Sequence, residues 1–371
     1  MFRDDEDDVV ADEPRGRKLY LQQNVRDAAV ERIAWAFDTF ATVSVSVSGG
    51  KDSSVLFEMA YREAERRRRP LNVFFLDQEA EYASSIEVVK DMMHREYVVP
   101  YWYQVPCLMT NATSYEEAML YAFDPAAEAD WVHPHVDLSI KQPIPGVNRF
   151  YRIMEWVDAQ WGTDACSLVG LRSEESLNRY GAVTRHPALP GVPWSSPTRG
   201  AVKLYPLYDW TFEDIWTFLG KEGVRYNRVY DWMWAKGFRL QEMRVSNLIH
   251  EKAFKSLATL QEFEPATYDR LVKRLKGVHT AALYAREPTV YAARKRPAAF
   301  KTWKAYRDFL LDTFPSETKA IFLERFAGQA ERESVHRQQV RQLLINDWEN
   351  NVPVVQMPER ENPLKKWMEL L

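Results

Sequence analysis

Cysteine is scarce in this sequence, which has only Cys107 and Cys166 among its 371 residues. Two thiols cannot form a disulfide framework, and they are too few for a four-thiolate zinc or iron–sulfur site. Neither cysteine belongs to a CxxC pair, the usual arrangement of a redox-active dithiol. The scarcity of cysteine therefore favours a reduced, cytoplasmic setting.

Long apolar runs and an excess of one charge are also lacking. No stretch is long enough to span a bilayer and no signal peptide is visible, so we expect no membrane association. Lys and Arg number 49 against 53 Asp and Glu, a formal net charge of −4. This balance excludes a uniformly basic nucleic-acid-coating protein but not a local basic face. The 46% apolar content is enough for a large core, and the length allows about two domains.

Two common phosphate-binding loops, GxxxxGK[ST] and GxGxxG, occur nowhere in the chain. In their place, residues 42–54 read TVSVSVSGGKDSS. Valine alternates with Ser and Thr up to Val47, which predicts a strand, and a helical pattern follows the two glycines. We expect a strand, a glycine turn and a helix in direct succession.

Such a turn is suited to an anion. Glycines let backbone N–H groups approach a ligand closely, and the helix N-terminus that follows carries partial positive charge. Hydroxyl groups and one ammonium group add donors, and Asp52 in the first helical turn could cap the helix or help to hold a metal. The candidate phosphate-binding residues are Ser48, Gly49, Gly50, Lys51, Asp52, Ser53 and Ser54.

Two further segments place polar residues at the ends of predicted strands. Leu71 to Asp77 is a nearly continuous apolar run that ends in a carboxylate, as in a buried parallel strand. Residues 165–170 predict another buried strand. It ends at Gly170, and Arg172 and Arg179 follow it. Ligands of open α/β sheets bind at the carboxyl ends of the strands, so we expect these residues beside the glycine turn. Two guanidinium groups there suit the phosphates of a nucleotide.

Other segments leave alternatives open. His133 and His135 are one residue apart, but no other Cys or His lies nearby at ligand spacing. We therefore favour an active-site lid or insertion over a zinc site for residues 111–148. The Gly- and Pro-rich segment 184–200 could close over a substrate or be a surface excursion. Thr211 and Asp214 predict a capping box at the start of a core-facing helix.

Four ordered motifs resemble the phosphoadenosine phosphosulfate (PAPS) reductase-like branch of the PP-loop ATP pyrophosphatase superfamily. They are SGGKDSS at 48–54, FLDQE at 75–79, GLRSEES at 170–176 with Arg179, and PLYDWTFEDIWTFL at 206–219. The resemblance implies a doubly wound parallel α/β sheet with a nucleotide across the carboxyl ends of its strands. It also implies that residues 48–54 hold the pyrophosphate part, that Asp77 lies near the nucleotide or its metal, and that Arg172 contacts phosphate.

The departures from this family are informative. Its reductases resemble one another in lacking the Lys–Asp pair of the loop and in having a C-terminal ECGxH-type segment, whereas here no cysteine follows Cys166. The SGGKDS loop instead resembles those of enzymes that cleave ATP between the α- and β-phosphates. We therefore expect adenylation or other activation of an unidentified substrate, with ATP and Mg²⁺ as cofactors and Lys51, Asp52 and Arg172 as catalytic residues. Asp52 is the candidate Mg²⁺ ligand.

The distal half predicts mainly helices, at 265–275, 301–314, 316–326 and 334–350. Between 270 and 304 many cations alternate with aromatic residues, a pattern that is compatible with nucleic-acid binding and equally occurs on solvated helix faces. The cations are Arg270, Lys273, Arg274, Lys276, His279, Arg286, Arg294, Lys295, Arg296, Lys301 and Lys304. The interleaved aromatic residues are Tyr284, Tyr291, Phe300 and Trp303.

The region from residue 226 to 285 resembles the immunoglobulin-binding regulator A group, PAPS-reductase-like proteins that phages and prophages often encode beside a ParB-like protein. The resemblance implies a phage or bacterial origin and a ParB-like partner. We expect a tail at 1–23, a PP-loop domain at 24–225 and a mainly α C-terminal domain at 226–371. The alternatives to an adenylating enzyme are a nucleotide-binding regulatory subunit that acts on DNA or transcription without turnover and, disfavoured, sulfonucleotide reduction or sulfur transfer by Cys107 or Cys166.

Overall fold

The computed structural model describes residues 21–355, apart from 115, 185–186, 199, 251–252, 285–292, 294, 348–349, 351 and 353. Most of the predicted tail therefore lies outside the described residues. The same holds for three residues of the predicted basic region, Arg286, Tyr291 and Arg294.

Helices and strands alternate at the start of the described chain. The elements are α1 (Val25–Thr39), β1 (Thr42–Ser46), α2 (Lys51–Arg67), β2 (Leu71–Leu76), α3 (Ala83–Met93) and β3 (Val98–Tyr103). Asn24 caps α1 as predicted, since its side chain accepts a hydrogen bond from the Asp27 amide at 2.9 Å. The predicted strand, glycine turn and helix are thus present as β1, residues 47–50 and α2.

The next stretch adds an insertion and then completes the sheet. Its elements are β4 (Cys107–Thr110), β5 (Met119–Ala122), α4 (Phe150–Gln160), β6 (Ala165–Val169), α5 (Leu177–Thr184), β7 (Ser195–Ser196), β8 (Val202–Leu204) and α6 (Phe212–Glu222). The antiparallel β4–β5 hairpin was not predicted, because its strands have only four residues each and lack a clear alternation. Segment 184–200 supplies β7, which pairs with β8, so part of this segment belongs to the sheet.

The main sheet has the order β3-β2-β1-β6-β8-β7, and all neighbouring strands are parallel except β7 and β8. The chain moves outward from β1 in one direction through β2 and β3, and then returns to the other side of β1 with β6. The strand order therefore reverses between β1 and β6, which is where ligands bind in open α/β sheets. This architecture confirms the predicted α/β fold with a parallel sheet.

The distal part is helical, as predicted. Its helices are α7 (Val229–Ala235), α8 (Phe254–Phe263), α9 (Pro265–Arg274), α10 (Val278–Tyr284), α11 (Trp303–Thr313), α12 (Ser316–Phe326) and α13 (Glu333–Leu344). The last helix ends well before Asn350, the predicted end. Asn346 adopts a φ of +51°, a left-handed conformation that does not continue a helix.

Buried side chains form three apolar clusters in the part of the chain that the structure describes. One lies between the main sheet and α1, α2, α3 and α6. A second joins the other side of the sheet to the β4–β5 hairpin, α4 and α7–α10, so it contains residues from both sides of position 225. The third is confined to α11–α13 and their neighbours. The boundary expected at 225/226 stays a proposal, and a shared core crosses it.

Candidate functional site

The glycine turn after β1 depends on close backbone packing. Gly49 has a φ of +67°, and a Cβ at this position would lie 3.0 Å from the carbonyl oxygen of Ser85 in α3. Gly170, at the end of β6, is equally constrained, because a Cβ there would lie 3.1 Å from the backbone of Asp52. Both contacts favour glycine on steric grounds. They place the turn after β1 against α3, and the end of β6 against the first turn of α2.

The serines of the turn bond mainly to the turn itself. The hydroxyls of Ser53 and Ser54 donate to the Gly50 carbonyl at 3.0 and 2.9 Å. The Ser48 amide donates to the Ser53 hydroxyl at 3.2 Å, so the loop is folded around its own donors. Gly50 is the N-cap residue of α2 and makes no side-chain capping bond. The N-terminus of α2 therefore retains the positive electrostatic character that attracts an anion.

Lys51, Asp52 and Arg172 form a buried charge cluster at this helix start. The Lys51 Nζ lies 3.0 Å from one carboxylate oxygen of Asp52, and the Arg172 Nε contacts the other. Burial by itself raises the pKa of Asp52, but the charges of Lys51 and Arg172 outweigh it and lower the pKa below its usual value. The ammonium group also lies 5.3 Å from the centroid of the Phe212 ring. Two buried cations thus share one carboxylate.

Glu175 extends this cluster toward solvent. It lies 3.4 Å from a guanidinium nitrogen of Arg172 and also pairs with Arg179, whose side chain is 45% exposed. The prediction that Arg172 and Arg179 lie on the same rim as the glycine turn agrees with this arrangement. Arg172 is the buried member of the pair and Arg179 the accessible one.

Two residues that sequence reasoning did not single out hold the turn from the distal side. The hydroxyl of Tyr230 accepts a hydrogen bond from the Lys51 amide at 3.1 Å. The side-chain amide of Asn227 donates to Ser85 at 2.9 Å and to the Gly49 carbonyl at 3.3 Å. Both residues are buried and lie at the start of the NRVYDWMW segment. No spacing rule connects this segment to a loop about 180 residues earlier, so only the fold reveals the contact.

The carboxylate of Asp77 is held by donors from the protein itself. It is fully buried, and its carboxylate accepts from the Glu79 amide, Trp102 Nε1 and Gln104 Nε2, each at 3.0 Å. His133 Nε2 lies 3.1 Å from the same carboxylate. These contacts support a structural role for Asp77, and its contact with a nucleotide or metal stays a prediction.

A cavity of about 450 Å³ opens at the carboxyl ends of β1 and β2. The sheet contributes residues 46–48 and 74–76, and Arg179 lies on the rim. The opposite walls come from β4, from α4 and from the segment between α7 and α8. The turn residue Ser48 and the accessible cation Arg179 therefore face one cavity, whereas Lys51, Asp52 and Arg172 lie outside its lining.

Glu81 also lines this cavity, although no sequence motif singles it out. Burial, with the nearby charge of Asp77, raises the pKa of Glu81 to about 8. This carboxyl group is consequently protonated for the most part at neutral pH, and it presents a hydrogen-bond donor rather than a charge.

The thiols and the histidine pair do not join the cavity. Cys107 and Cys166 are fully buried, and burial raises the pKa of the Cys107 thiol to about 12. His133 pairs with Asp77, and His135 packs 4.5 Å from the ring of Trp131. Within the described ranges, no group of three or more His, Cys, Asp or Glu residues is arranged to hold a metal ion.

Several cations of the predicted basic region are paired with carboxylates. Arg274 bonds to the buried Glu79 at 2.8 Å, and Lys273 pairs with Asp130 at 2.6 Å. Lys304 lies 2.9 Å from Glu331. These pairs agree with the alternative of solvated helix faces for part of the region, and nucleic-acid binding stays a prediction. Among the described residues, no helix is long and apolar enough to span a membrane.

Comparison with known proteins matches two family models to the chain. Residues 42–239 match the phosphoadenosine phosphosulfate reductase domain, and residues 237–356 match a domain of unknown function, DUF3440. The first match covers the main sheet and the turn, and the second begins just after α7.

Curated relatives extend the likeness over most of the chain. The chain is 27% identical over 330 residues to an uncharacterized protein of Escherichia coli, YbdN, covering 84% of this chain and 80% of that protein. It is 24% identical over 206 residues to the adenosine 5′-phosphosulfate reductase of Allochromatium vinosum, covering 55% of this chain and 69% of the reductase.

A solved structure of the Candida auris PAPS reductase in a phosphate complex is also similar. It is 13% identical, with a TM-score of 0.31, and the match covers 62% of this chain and 98% of that one.

Proposed function

Because the chain belongs to the phosphoadenosine phosphosulfate reductase domain family, we propose that it is a PP-loop enzyme that uses ATP. It cleaves ATP between the α- and β-phosphates, transfers the adenylyl group to an acceptor oxygen and releases pyrophosphate. The observation that carries the proposal is the convergence of Lys51 and Arg172 on Asp52 at the N-terminus of α2. This cluster lies where the strand order reverses, beside the cavity that Ser48 lines.

Each part of the cluster has a role in this reaction. In the proposed step an acceptor oxygen forms a bond to the α-phosphorus while the bond to the bridging oxygen of the β-phosphate breaks. Negative charge then develops on the departing pyrophosphate, and preorganised cations stabilise it. We assign this to Lys51 and Arg172, with the PP-loop amides. Asp52 keeps both cations in place, and Arg179 binds phosphate at the cavity rim.

The candidate metal ligand Asp52 does not fit a Mg²⁺ site in this arrangement. One of its oxygens faces Lys51 and the other faces Arg172, so both are already paired with cations. Mg²⁺ is usually held by substrate phosphates with only one or two carboxylates. We therefore propose that Mg²⁺ arrives with ATP as the counterion of its phosphates, and no step is assigned to a protein-bound metal.

A reductase or sulfur-transfer activity is less well supported. The name of the Allochromatium relative describes the reduction of a sulfonucleotide, which needs a reactive thiol. Both thiols of this chain are fully buried, and burial raises the pKa of each, so neither forms the thiolate that reacts.

The second candidate is a nucleotide-binding regulatory subunit without turnover. It is favoured by the same cluster, since two cations that share one carboxylate keep an excess of positive charge, which also suits simple binding of a polyphosphate. In this proposal the basic residues between 270 and 304 contact nucleic acid, and a ParB-like protein is the partner. We propose in addition that the protein is related to the immunoglobulin-binding regulator A group and that it acts in the cytoplasm.

Incubation with α-labelled ATP and Mg²⁺ separates the two candidates. Formation of AMP and pyrophosphate, alone or with nucleic acids or a ParB-like protein, is expected for the enzyme. Tight ATP binding with no turnover under all these conditions is expected for the regulatory subunit. A double variant, Cys107→Ser with Cys166→Ser, should retain activity, and its inactivity in a folded protein would revive sulfur chemistry.

A further inference from the structure

The cavity that Ser48 lines also contains buried polar groups that lack partners among the described residues. Asn247 is 9% exposed, and its Nδ2 reaches no hydrogen-bond acceptor among the described residues. The Thr110 hydroxyl is likewise buried and unpartnered within the described chain. Both residues line the same cavity as Ser48. A buried donor without a partner costs about 1–3 kcal/mol, so two such groups in one cavity point to a polar ligand.

Glu81 belongs to the same wall and adds a third polar group. Asn247 lies near enough to influence the Glu81 carboxyl, although its Nδ2 does not attain hydrogen-bond geometry with it. The Asp77 carboxylate increases the negative potential at Glu81, and His133 opposes it. As a result Glu81 is protonated and uncharged at neutral pH, as described above. A second negative charge would be unfavourable at this place.

From these groups we infer that the Thr110, Glu81 and Asn247 wall binds a neutral amide or lactam carbonyl, as the acceptor of the proposed adenylyl transfer. Asn247 and the hydroxyl of Thr110 donate hydrogen bonds to the carbonyl oxygen or its neighbours, and the protonated Glu81 adds a donor. A carboxylate acceptor is disfavoured at this wall by the Asp77 carboxylate, whose effect His133 offsets only in part. This inference rests on the proposed function for its chemistry, but the binding itself does not require turnover.

The reaction that follows binding is balanced within the proposal. The carbonyl oxygen forms a bond to the α-phosphorus, and the bond between that phosphorus and the bridging oxygen breaks. Pyrophosphate leaves, and the proton of the amide nitrogen passes to water. The product is an O-adenylated imidate, which is activated for later displacement of AMP.

The location of the wall also gives the distal region a role in binding the acceptor. Asn247 comes from the segment between α7 and α8, within the residues that match DUF3440. Thr110 comes from the β4–β5 hairpin inserted after β3. The parallel sheet thus carries the nucleotide side of the cavity, whereas an insertion and the distal region together determine the acceptor.

Saturation-transfer NMR on the full chain tests the inference with 2-pyrrolidone as the lactam probe and cyclopentanecarboxylate as a carboxylate of similar size. We expect the lactam alone to bind. Asn247→Ala and Thr110→Val should each reduce its signal at least about fivefold, as expected for loss of one buried hydrogen bond. Glu81→Gln, which keeps a neutral donor, should retain binding, and Glu81→Ala should lose it. Asn24→Ala, an asparagine change outside the cavity, is the matched control.

Thr110→Val removes an unpartnered hydroxyl and keeps the shape of the side chain, so it guards against simple misfolding. Equal or stronger binding of the carboxylate would overturn the inference. So would no lactam binding at all, or lactam binding that neither Asn247→Ala nor Thr110→Val weakens. Binding of a non-hydrolysable ATP analogue is measured separately by calorimetry. Its absence would count against the proposed function, whereas the lactam result would still decide the inference.

Discussion

The sequence predicts two groups of cations that bind polyanions, and these two groups differ in burial. Lys51 and Arg172 at the PP-loop are almost fully buried and share one carboxylate. Lys273 and Lys304 in the distal region are 68% and 52% exposed and pair with surface carboxylates. A buried charge is costly unless the fold holds it in place, whereas an exposed ion pair contributes little. The first group is therefore held in a fixed arrangement by the fold. The second group lies on the surface, where its side chains can change partners.

The largest effect is expected from removing the buried guanidinium. Arg172→Met leaves Asp52 with only one cation, so we expect a loss of about 3–5 kcal/mol in the free energy of unfolding. ATP turnover should fall at least about 100-fold, equivalent to about 2.7 kcal/mol of lost stabilisation. Chemical denaturation and the release of pyrophosphate measure the two effects.

The double variant Asp52→Asn with Arg172→Met separates folding from function. It removes the carboxylate that has lost its guanidinium partner, so stability should partly recover while turnover stays low. Recovery of turnover together with stability would mean that Arg172 acts only as a structural partner of Asp52. In that case the buried cations, like the exposed ones, would have no demonstrated role in ATP turnover.

A second comparison concerns the ion pair of His133 and Asp77. Burial by itself lowers the pKa of His133, but Asp77 more than compensates and raises the pKa from 6.5 to about 9. This pair should stabilise the fold fully below about pH 6.5 and lose its contribution as the pH rises through about 9. We expect a decrease of about 1–3 kcal/mol over this range, measured by denaturation at each pH.

Glu81 also makes the protein less stable as the pH rises. Its pKa is raised in the native state, so its contribution is lost between pH 4.5 and about 8. His133→Gln keeps a hydrogen-bond donor without a titrating group and therefore isolates the histidine. Its stability should decrease less than that of the wild type between about pH 6.5 and 9. An identical pH profile in both proteins would show that the pair does not control stability.

A smaller effect is expected from the contact between the distal region and the PP-loop. Tyr230→Phe removes the acceptor of the Lys51 amide, which should cost about 1 kcal/mol of stability and weaken ATP binding several-fold. Tyr226→Phe is the matched control, since its hydroxyl bonds to the exposed Asp231. Calorimetry with an ATP analogue would contradict this prediction if the two variants bound equally well.

The sequence permitted the fold to be predicted because its signals are local. The alternating valines of β1, the glycine turn and the capping box of Thr211 each act within a few residues. The cluster of Lys51 and Arg172 was also predictable, since parallel strands end at one edge of a sheet.

The remaining features depend on contacts that no local pattern encodes. Asn227 and Tyr230 reach the PP-loop from far along the chain, and the Asn247 wall depends on the path between α7 and α8. The position of Asp77 at a strand end predicts a contact with a ligand, which stays a prediction. Its hydrogen bonds with Trp102 and Gln104, from β3 and the residues after it, are not encoded by that position.

The smallest effect on folding is expected at the surface cations. Lys273→Ala and Lys304→Ala should each change the free energy of unfolding by less than about 1 kcal/mol and leave ATP turnover unchanged, because exposed pairs are weak. If the region contacts nucleic acid, each lost phosphate contact should reduce the salt dependence of retention on single-stranded DNA by a slope of about 0.7. Retention at low salt that neither substitution changes would place nucleic-acid binding elsewhere. These lysines would then be surface charges whose only measurable partners are the carboxylates beside them.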